Sequence, residues 1–360
     1  MTRALIAMSG GVDSSVAALL MKDQGYDCVG CTMRLFDKAD VSLSTEYSCG
    51  STTDVDDARA VAERIGIPFS AVDMKSEFRA NVIDRFIKCY EEGITPNPCV
   101  TCNKHMKFGN LFKCAEEMGC DYIVTGHYAL VEKAGDRYLL KKGCDERKDQ
   151  SYVLYDLTQE QLAHTIFPLG GLSKDEIRAI AENAGFENAH KKDSQDICFI
   201  PDGDYVAFLE KERGRGFEPG NFVDMDGNVL GQHKGIECYT IGQHKKLGIA
   251  LGRKVYVYSI NPEDNTVVLC DNEELFRRDV IAADFNWTSG IIPEEASTEG
   301  FRCKAKIRYN HKEQPATMRL LGDGRVELIF DEPQRAVTPG QSAVVYDGDI
   351  VIGGGIIEKQ

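Results

Sequence analysis

Residues 9–15 read Ser-Gly-Gly-Val-Asp-Ser-Ser, directly after an apolar run over 4–8. From Val12 onward Val16, Ala17, Leu19 and Leu20 recur at helical spacing, and Gly25 supplies a stop. A strand, a glycine-rich turn and a helix in that order open a parallel sheet covered by helices, with the turn at the edge where such sheets bind ligands. The alternation continues. Residues 28–33, 69–72 and 122–125 read as further strands, and 54–65 sets Ala58, Val61, Ala62 and Ile65 on one helical face. The expectation is an α/β, doubly wound N-terminal domain.

A chain of 360 residues exceeds the usual size of one domain, and its character changes after Pro201. Short β-type runs separated by Gly220, Gly227, Gly231, Gly235, Gly242, Gly248 and Gly252 predict a small β-rich central domain over 203–275. Runs over 316–320, 325–329, 343–346 and 350–352, joined by Gly-Asp-Gly type turns, predict a C-terminal β-barrel over 276–360. The first domain then spans 1–202, and Ser173-Lys174-Asp175-Glu176 looks like a capping box within it.

No apolar run approaches the roughly 18 to 20 residues that cross a bilayer, so a membrane location is not expected. Thirteen scattered cysteines read as reduced thiols of a cytoplasmic protein. A formal charge of −15 argues against indiscriminate nucleic-acid binding, so any RNA contact must use local basic patches. The run from Arg302 to Tyr309 is one, because alternation on a strand sets its cations on one face beside an aromatic.

The turn at 9–15 has the makings of a phosphate cradle. Gly10 and Gly11 let backbone N–H groups face an anion, Ser9, Ser14 and Ser15 carry hydroxyl donors, and the helix N-terminus adds positive potential. It lacks the Gly-Lys-Ser/Thr of a Walker A loop. Asp13 has two readings of equal weight: a holder of Mg²⁺, or a carboxylate stabilised by the helix dipole.

The heptapeptide resembles the pyrophosphate loop of the ATP pyrophosphatases (PP-loop enzymes), which split ATP between its α and β phosphates and adenylate a carbonyl oxygen. Five further stretches occur in order: Asn97-Pro98-Cys99-Val100-Thr101-Cys102-Asn103-Lys104, Thr125-Gly126-His127-Tyr128-Ala129, Lys148-Asp149-Gln150-Ser151, Asp193-Ser194-Gln195-Asp196-Ile197-Cys198-Phe199-Ile200 and Gly242-Gln243-His244-Lys245. With Pro339-Gly340-Gln341 and Gly353-Gly354-Gly355, they resemble the bacterial tRNA-specific 2-thiouridylases over essentially the whole chain. The resemblance implies a tRNA-uridine 2-sulfurtransferase that uses ATP and Mg²⁺ to thiolate the wobble uridine, with the tRNA anticodon arm as substrate. Sulfur would come from a persulfide donor such as a cysteine desulfurase or a relay protein. It assigns ATP to Ala7, Met8, Ser9, Gly10, Gly11, Val12, Asp13, Ser14, Met33 and Gly126. The target base falls to Asn97, Pro98 and Cys99, and RNA contact to His127, Lys148, Asp149, Gln150, Arg308, Tyr309 and Gln341. Cys198 would carry the persulfide and Cys102 would close a disulfide with it, although the family leaves room to exchange those two roles.

Cys99 departs from the commonest family pattern, which has Asp there. The change leaves a second reading, in which Cys99, Cys102 and Cys198 hold a [4Fe-4S] cluster with one open iron. Cys28, Cys31, Cys89, Cys114, Cys120, Cys144, Cys238, Cys270 and Cys303 read as small hydrophobes, and Cys49 is undecided. Rival classes are another ATP pyrophosphatase, or an RNA-binding module in which the cysteines are structural.

Overall fold

Ala4, Leu5 and Ile6 of the strand Arg3–Ala7 are wholly buried, so both faces of this strand are covered, as the centre of a parallel sheet requires. In the computed structural model, which describes residues 1–37, 52–191 and 197–359, it pairs in parallel with Asp27–Arg34 on one side and Tyr122–Val124 on the other. Phe69–Asp73 and Thr165–Ile166 extend the sheet outward, giving five strands. Strand order therefore reverses at Arg3–Ala7, which opens a crevice beyond its C-terminal end. The turn at 9–15 occupies that place. Cys49 and residues 193–196 of the second cysteine motif lie outside the described residues.

Helix Val12–Asp23 turns Val16, Ala17 and Met21 into one core with Ala58, Val61, Ala62, Ile177 and Ala181. The opposite face of the sheet carries the larger core, built around Phe78, Phe86, Tyr152 and Phe199. The expected capping box is present at Lys174–Asn183, where the Glu176 carboxylate accepts from Ser173 N at 2.8 Å and Ser173 Oγ accepts from Glu176 N at 3.3 Å.

Six antiparallel strands, Phe276–Asn286, Phe301–Lys306, Gln314–Leu320, Val326–Arg335, Ser342–Asp347 and Ile350–Ile357, form a barrel that closes where the last pairs with the first. On Phe301–Lys306 and just beyond it, Cys303, Ala305 and Ile307 point inward and Arg302 and Lys304 outward, the alternation read from the sequence. A separate four-stranded sheet combines Gly220–Val223, Val229–His233, Tyr256–Asn261 and Thr266–Cys270. Among the described residues, no helix is long and apolar enough to cross a membrane.

Two elements depart from the sequence reading. A hairpin, Ala129–Ala134 with Arg137–Lys142, leaves the first region and joins the barrel sheet through Ile350 and Lys141. Residues just after 203 are helical: Tyr205–Arg213 is capped by Asp204 and ended by Gly214 at φ +65°, and buries Phe208 and Leu209 in the large core with Phe86 and Phe199. Glycine density concealed this helix, because its apolar positions pack backward onto the α/β unit.

The barrel and the α/β unit share a buried polar seam. Tyr152, fully buried, donates to Ser342 O at 2.8 Å, Ser342 Oγ donates to Tyr155 Oη at 3.2 Å, and Asn286 Nδ2 donates to Tyr155 O at 2.8 Å. Replacing Tyr152 by Phe leaves the Ser342 carbonyl unpaired in the interior. We expect a loss of about 1–3 kcal/mol of unfolding free energy, read from the shift of the urea midpoint.

Candidate active site

The cradle is shaped by backbone geometry first. Gly10 has φ +73°, and a Cβ there would lie 2.5 Å from Asp54 O, so only glycine fits. Gly11 is different: it has φ −88° as the helix N-cap, and a Cβ would meet nothing nearer than Ser9 Oγ at 3.5 Å. Gly126 closes the cradle from the neighbouring strand end, where a Cβ would lie 2.9 Å from Asp13 C and Ser14 N. The first-turn amides of the helix are thus reachable only because position 126 has no side chain.

The three serines are not equivalent. Ser14 and Ser15 each donate their one hydroxyl proton to Gly11 O, both at 3.0 Å, and Ser9 N donates to Ser14 Oγ at 3.1 Å. Ser15 is also wholly buried, which removes it from the set of ligand donors. Ser9 is exposed. Asp13 is fixed through one oxygen, since Tyr128 Oη and Lys174 Nζ both donate to its Oδ1 at 2.7 Å. Lys174 is buried, and it is a functional candidate the sequence reading missed.

The underside of the turn is tied to the segment that leads to the second cysteine motif. Asn188 Nδ2 donates to Gly10 O at 3.0 Å and to Ser15 Oγ at 2.9 Å, and Lys191 bridges Asp54 and Asp57 at 2.8 Å each. Nothing in residue spacing announced this link.

Asn97 and Pro98 have clear structural work: Pro98 starts the helix Pro98–Cys102, and Asn97 Oδ1 caps it by accepting from Cys99 N at 3.2 Å and Val100 N at 3.4 Å. The helix continues as a π-helical stretch, Asn103–Asn110. Cys102 and Cys198 are both half-buried and pack against the same large core. Cys198 is anchored by its neighbour Phe199, whose buried ring sits 5.7 Å from Phe78 and 5.4 Å from Phe86. Cys99 is exposed. Among the described residues, no three His, Cys, Asp or Glu side chains are grouped closely enough to hold a metal ion. Cys99, Cys102 and Cys198 therefore form no such group among the described residues, against the reading in which they hold an iron–sulfur cluster.

Cys28, Cys31, Cys270 and Cys303 are buried, and burial pushes Cys31 and Cys270 up to about 11 and Cys303 to about 12, which makes them inert. Cys144 is exposed, against the expectation of a buried side chain there.

The expected RNA-contact residues divide in two. His127 is buried: Lys107 Nζ lies 3.2 Å from its Nε2 and Thr125 Oγ1 lies 2.6 Å from its Nδ1. An ammonium only donates, so Nε2 accepts and the ring is neutral with its proton on Nδ1. Asp149 holds its own loop by accepting from Gly143 N, Ser151 N and Ser151 Oγ, and Gln150 exchanges hydrogen bonds with the Tyr128 backbone. Gln341 donates inward to Thr95 O and Pro96 O. Lys148 and Arg308 are half-buried, and Tyr309 is exposed, with Asp149 and Cys99 among the groups that act on it electrostatically. Lys306 Nζ lies 5.7 Å above the Tyr152 ring, and burial holds it below the ordinary lysine range. Met33 packs against the large core, and Ala7 joins it there.

A parallel sheet with an anion cradle at its switch point, joined to a small β unit and a closed barrel, defines a multidomain nucleotide-binding α/β protein of the ATP-utilising PP-loop class. The family described as "tRNA methyl transferase HUP domain" matches residues 2–202, "tRNA methyl transferase PRC-barrel domain" matches 207–271 and "Aminomethyltransferase beta-barrel domain" matches 277–357. The chain is 52% identical over 99% of its length to the tRNA-specific 2-thiouridylase MnmA of Clostridioides difficile, covering 98% of that protein. It is 50% identical over 99% of both chains to a protein of the same name from Clostridium botulinum. A solved structure, a predicted subunit of tRNA methyltransferase from Methanocaldococcus jannaschii, aligns with 60% of this chain and 90% of its own at 16% identity and TM-score 0.31. The chain belongs to the tRNA-specific 2-thiouridylase family.

The histidines set an acid limit. Burial first, then Lys107, holds His127 well below the ordinary value of 6.5, and burial with Arg308 and Lys306 lowers His311 to about 4. Both stay neutral in the folded chain while the unfolded chain takes up protons, so folding stability falls as pH drops below 6.5 and keeps falling toward about 4. His311→Asn should flatten that slope, as followed by urea unfolding at stepped pH.

Proposed function

We infer that this protein uses ATP to replace the C2 oxygen of an anticodon wobble uridine by sulfur. One observation carries the reading: an anion cradle at the sheet's switch point and two half-buried cysteines, Cys102 and Cys198, on one shared core. Family membership supports it, since close relatives are named 2-thiouridylases. The matched domain description speaks instead of methyl transfer, a reaction with no need of paired thiols; the two cysteines favour the sulfur chemistry.

ATP fits the cradle, where the backbone from Ser9 to Ser14 and the space left by Gly126 admit a phosphate chain against the helix N-terminus. Mg²⁺ would be held through Asp13 Oδ2, because Oδ1 is taken by Tyr128 and Lys174. The metal supplies charge neutralisation for the departing pyrophosphate. The uracil C2 oxygen attacks the α phosphate and becomes an adenylate. The terminal sulfur of a persulfide on Cys198 then attacks C2, and AMP leaves with the oxygen. Cys102 attacks the Cys198 sulfur, a Cys102–Cys198 disulfide forms, and the 2-thiouridine is released. An external thiol reduces the disulfide and a desulfurase or relay protein reloads the persulfide, all in the cytoplasm. Exchange of the two cysteine roles leaves the balance unchanged.

For RNA, Lys148, Arg308, Tyr309 and the neighbouring Lys306 are the surface groups we assign to the anticodon arm, with Cys99 near Tyr309 at the entrance for the target base. His127, Asp149 and Gln150 support that surface from within.

Since the fold accepts a Cβ at position 11, Gly11→Ala should leave the melting temperature unchanged and abolish tRNA-dependent AMP formation and 2-thiouridine in tRNA hydrolysates; ADP and phosphate as the main products would sink the proposal. Replacing Lys306 and Arg308 by Ala should weaken tRNA binding and reduce its salt dependence by about one unit of slope for each phosphate that is no longer neutralised. Unchanged affinity would remove the barrel from the RNA surface.

A further inference from the structure

The helix Pro98–Cys102 runs on into Asn103–Asn110, so the direction in which the cysteine enters is set by what holds the first residues of the run. Both of its ends are anchored toward the barrel. Before it, Thr95 N donates to Pro339 O at 3.1 Å, and Gln341 Nε2 donates to Thr95 O at 3.0 Å and to Pro96 O at 3.2 Å. Gly340, at φ +87°, is so close that a Cβ would lie 2.2 Å from Ile94 Cγ2 and 2.9 Å from Thr95 O. Asn97, next in the chain, caps the helix. After it, Asn103 Nδ2 donates to Val153 O at 2.8 Å, and the adjacent Tyr152 is bonded to Ser342 O, one residue past Gln341.

A carboxamide nitrogen has two protons, and those of Gln341 meet two carbonyls of the protein. No donor of that amide is left over for a phosphate. We propose that the barrel turn at 339–341 positions the Cys102 thiol for sulfur transfer, with Gln341 as the positioning residue that sets the entry of the cysteine helix. This rests on the reading of Cys102 as a reacting thiol. The turn sits at the start of a rigid segment and the thiol at its end, so a small tilt at Thr95–Pro96 is carried to Sγ. Misplacement of a reacting group by about 1 Å costs on the order of 100-fold in rate.

The test uses the full chain with Gln341→Met, which keeps length and removes the donor, and Gly340→Ala, which pushes Thr95 without touching the amide. Five quantities are measured: kcat and KM for thiolation, tRNA Kd, the single-turnover rate of tRNA-dependent pyrophosphate release, and the iodoacetamide alkylation rate of Cys102 by peptide mass spectrometry. We expect kcat to fall roughly tenfold or more in both variants and Cys102 alkylation to change, with Kd and single-turnover pyrophosphate release held within about twofold. A rise in KM and Kd with kcat and alkylation unaltered would overturn the proposal and make Gln341 an RNA contact. Parallel change in all five with a lowered melting temperature would also overturn it, leaving only a general structural role. Normal thiolation by Cys102→Ala would defeat the sulfur reading instead, whereas unchanged Cys102 alkylation in both turn variants would defeat the positioning itself.

Discussion

The contact of Gly10 with the Asp54 backbone is the constraint on which the rest of the site depends. A left-handed residue at that point turns the chain from the central strand into helix Val12–Asp23 and brings it against the start of Thr52–Ile65. Asn188 and Lys191 close the same place from below, with Lys191 spanning Asp54 and Asp57. The end of the central strand, two helices and the residues up to Lys191 therefore meet at one glycine. Any displacement there moves the turn at 9–15 and the start of Thr52–Ile65 together.

The chain separates its thiols by environment. Buried cysteines lie where desolvation suppresses the thiolate, and Cys303, inside the barrel, shows the strongest effect. Cys102 and Cys198 sit instead at the margin of the large core, held by a capped helix and by the Phe199 anchor.

Much of this was legible in the sequence. The strands and helices around the cradle are periodic enough to locate to within a residue or two, and the capping box at Ser173 has a local signature. The hairpin Ala129–Lys142 was not, because its strands are short, carry Lys and Glu on their exposed sides and pair with a partner far along the chain. Helix Tyr205–Arg213 was hidden among glycines that end it and do not interrupt it. In the site, the motifs name the residues but carry no sign of which side chains bond within the protein. His127, Asp149, Gln150 and Gln341 share motifs with surface residues, yet their side chains hold the motif together. Lys174 escaped notice because its partner Asp13 is 161 residues away, and no local pattern encodes that pairing.

The hairpin that joins the barrel sheet also bears on how the chain is made. Lys142 Nζ donates to Gly348 O, 206 residues on, and its backbone N donates to Asp349 O. During synthesis at about 5–20 residues per second, the hairpin waits on the order of ten seconds or more for the strand that covers it. Until then the charged residues along Ala129–Ala134 and Arg137–Lys142 oppose pairing of the open hairpin edge with a neighbouring nascent chain.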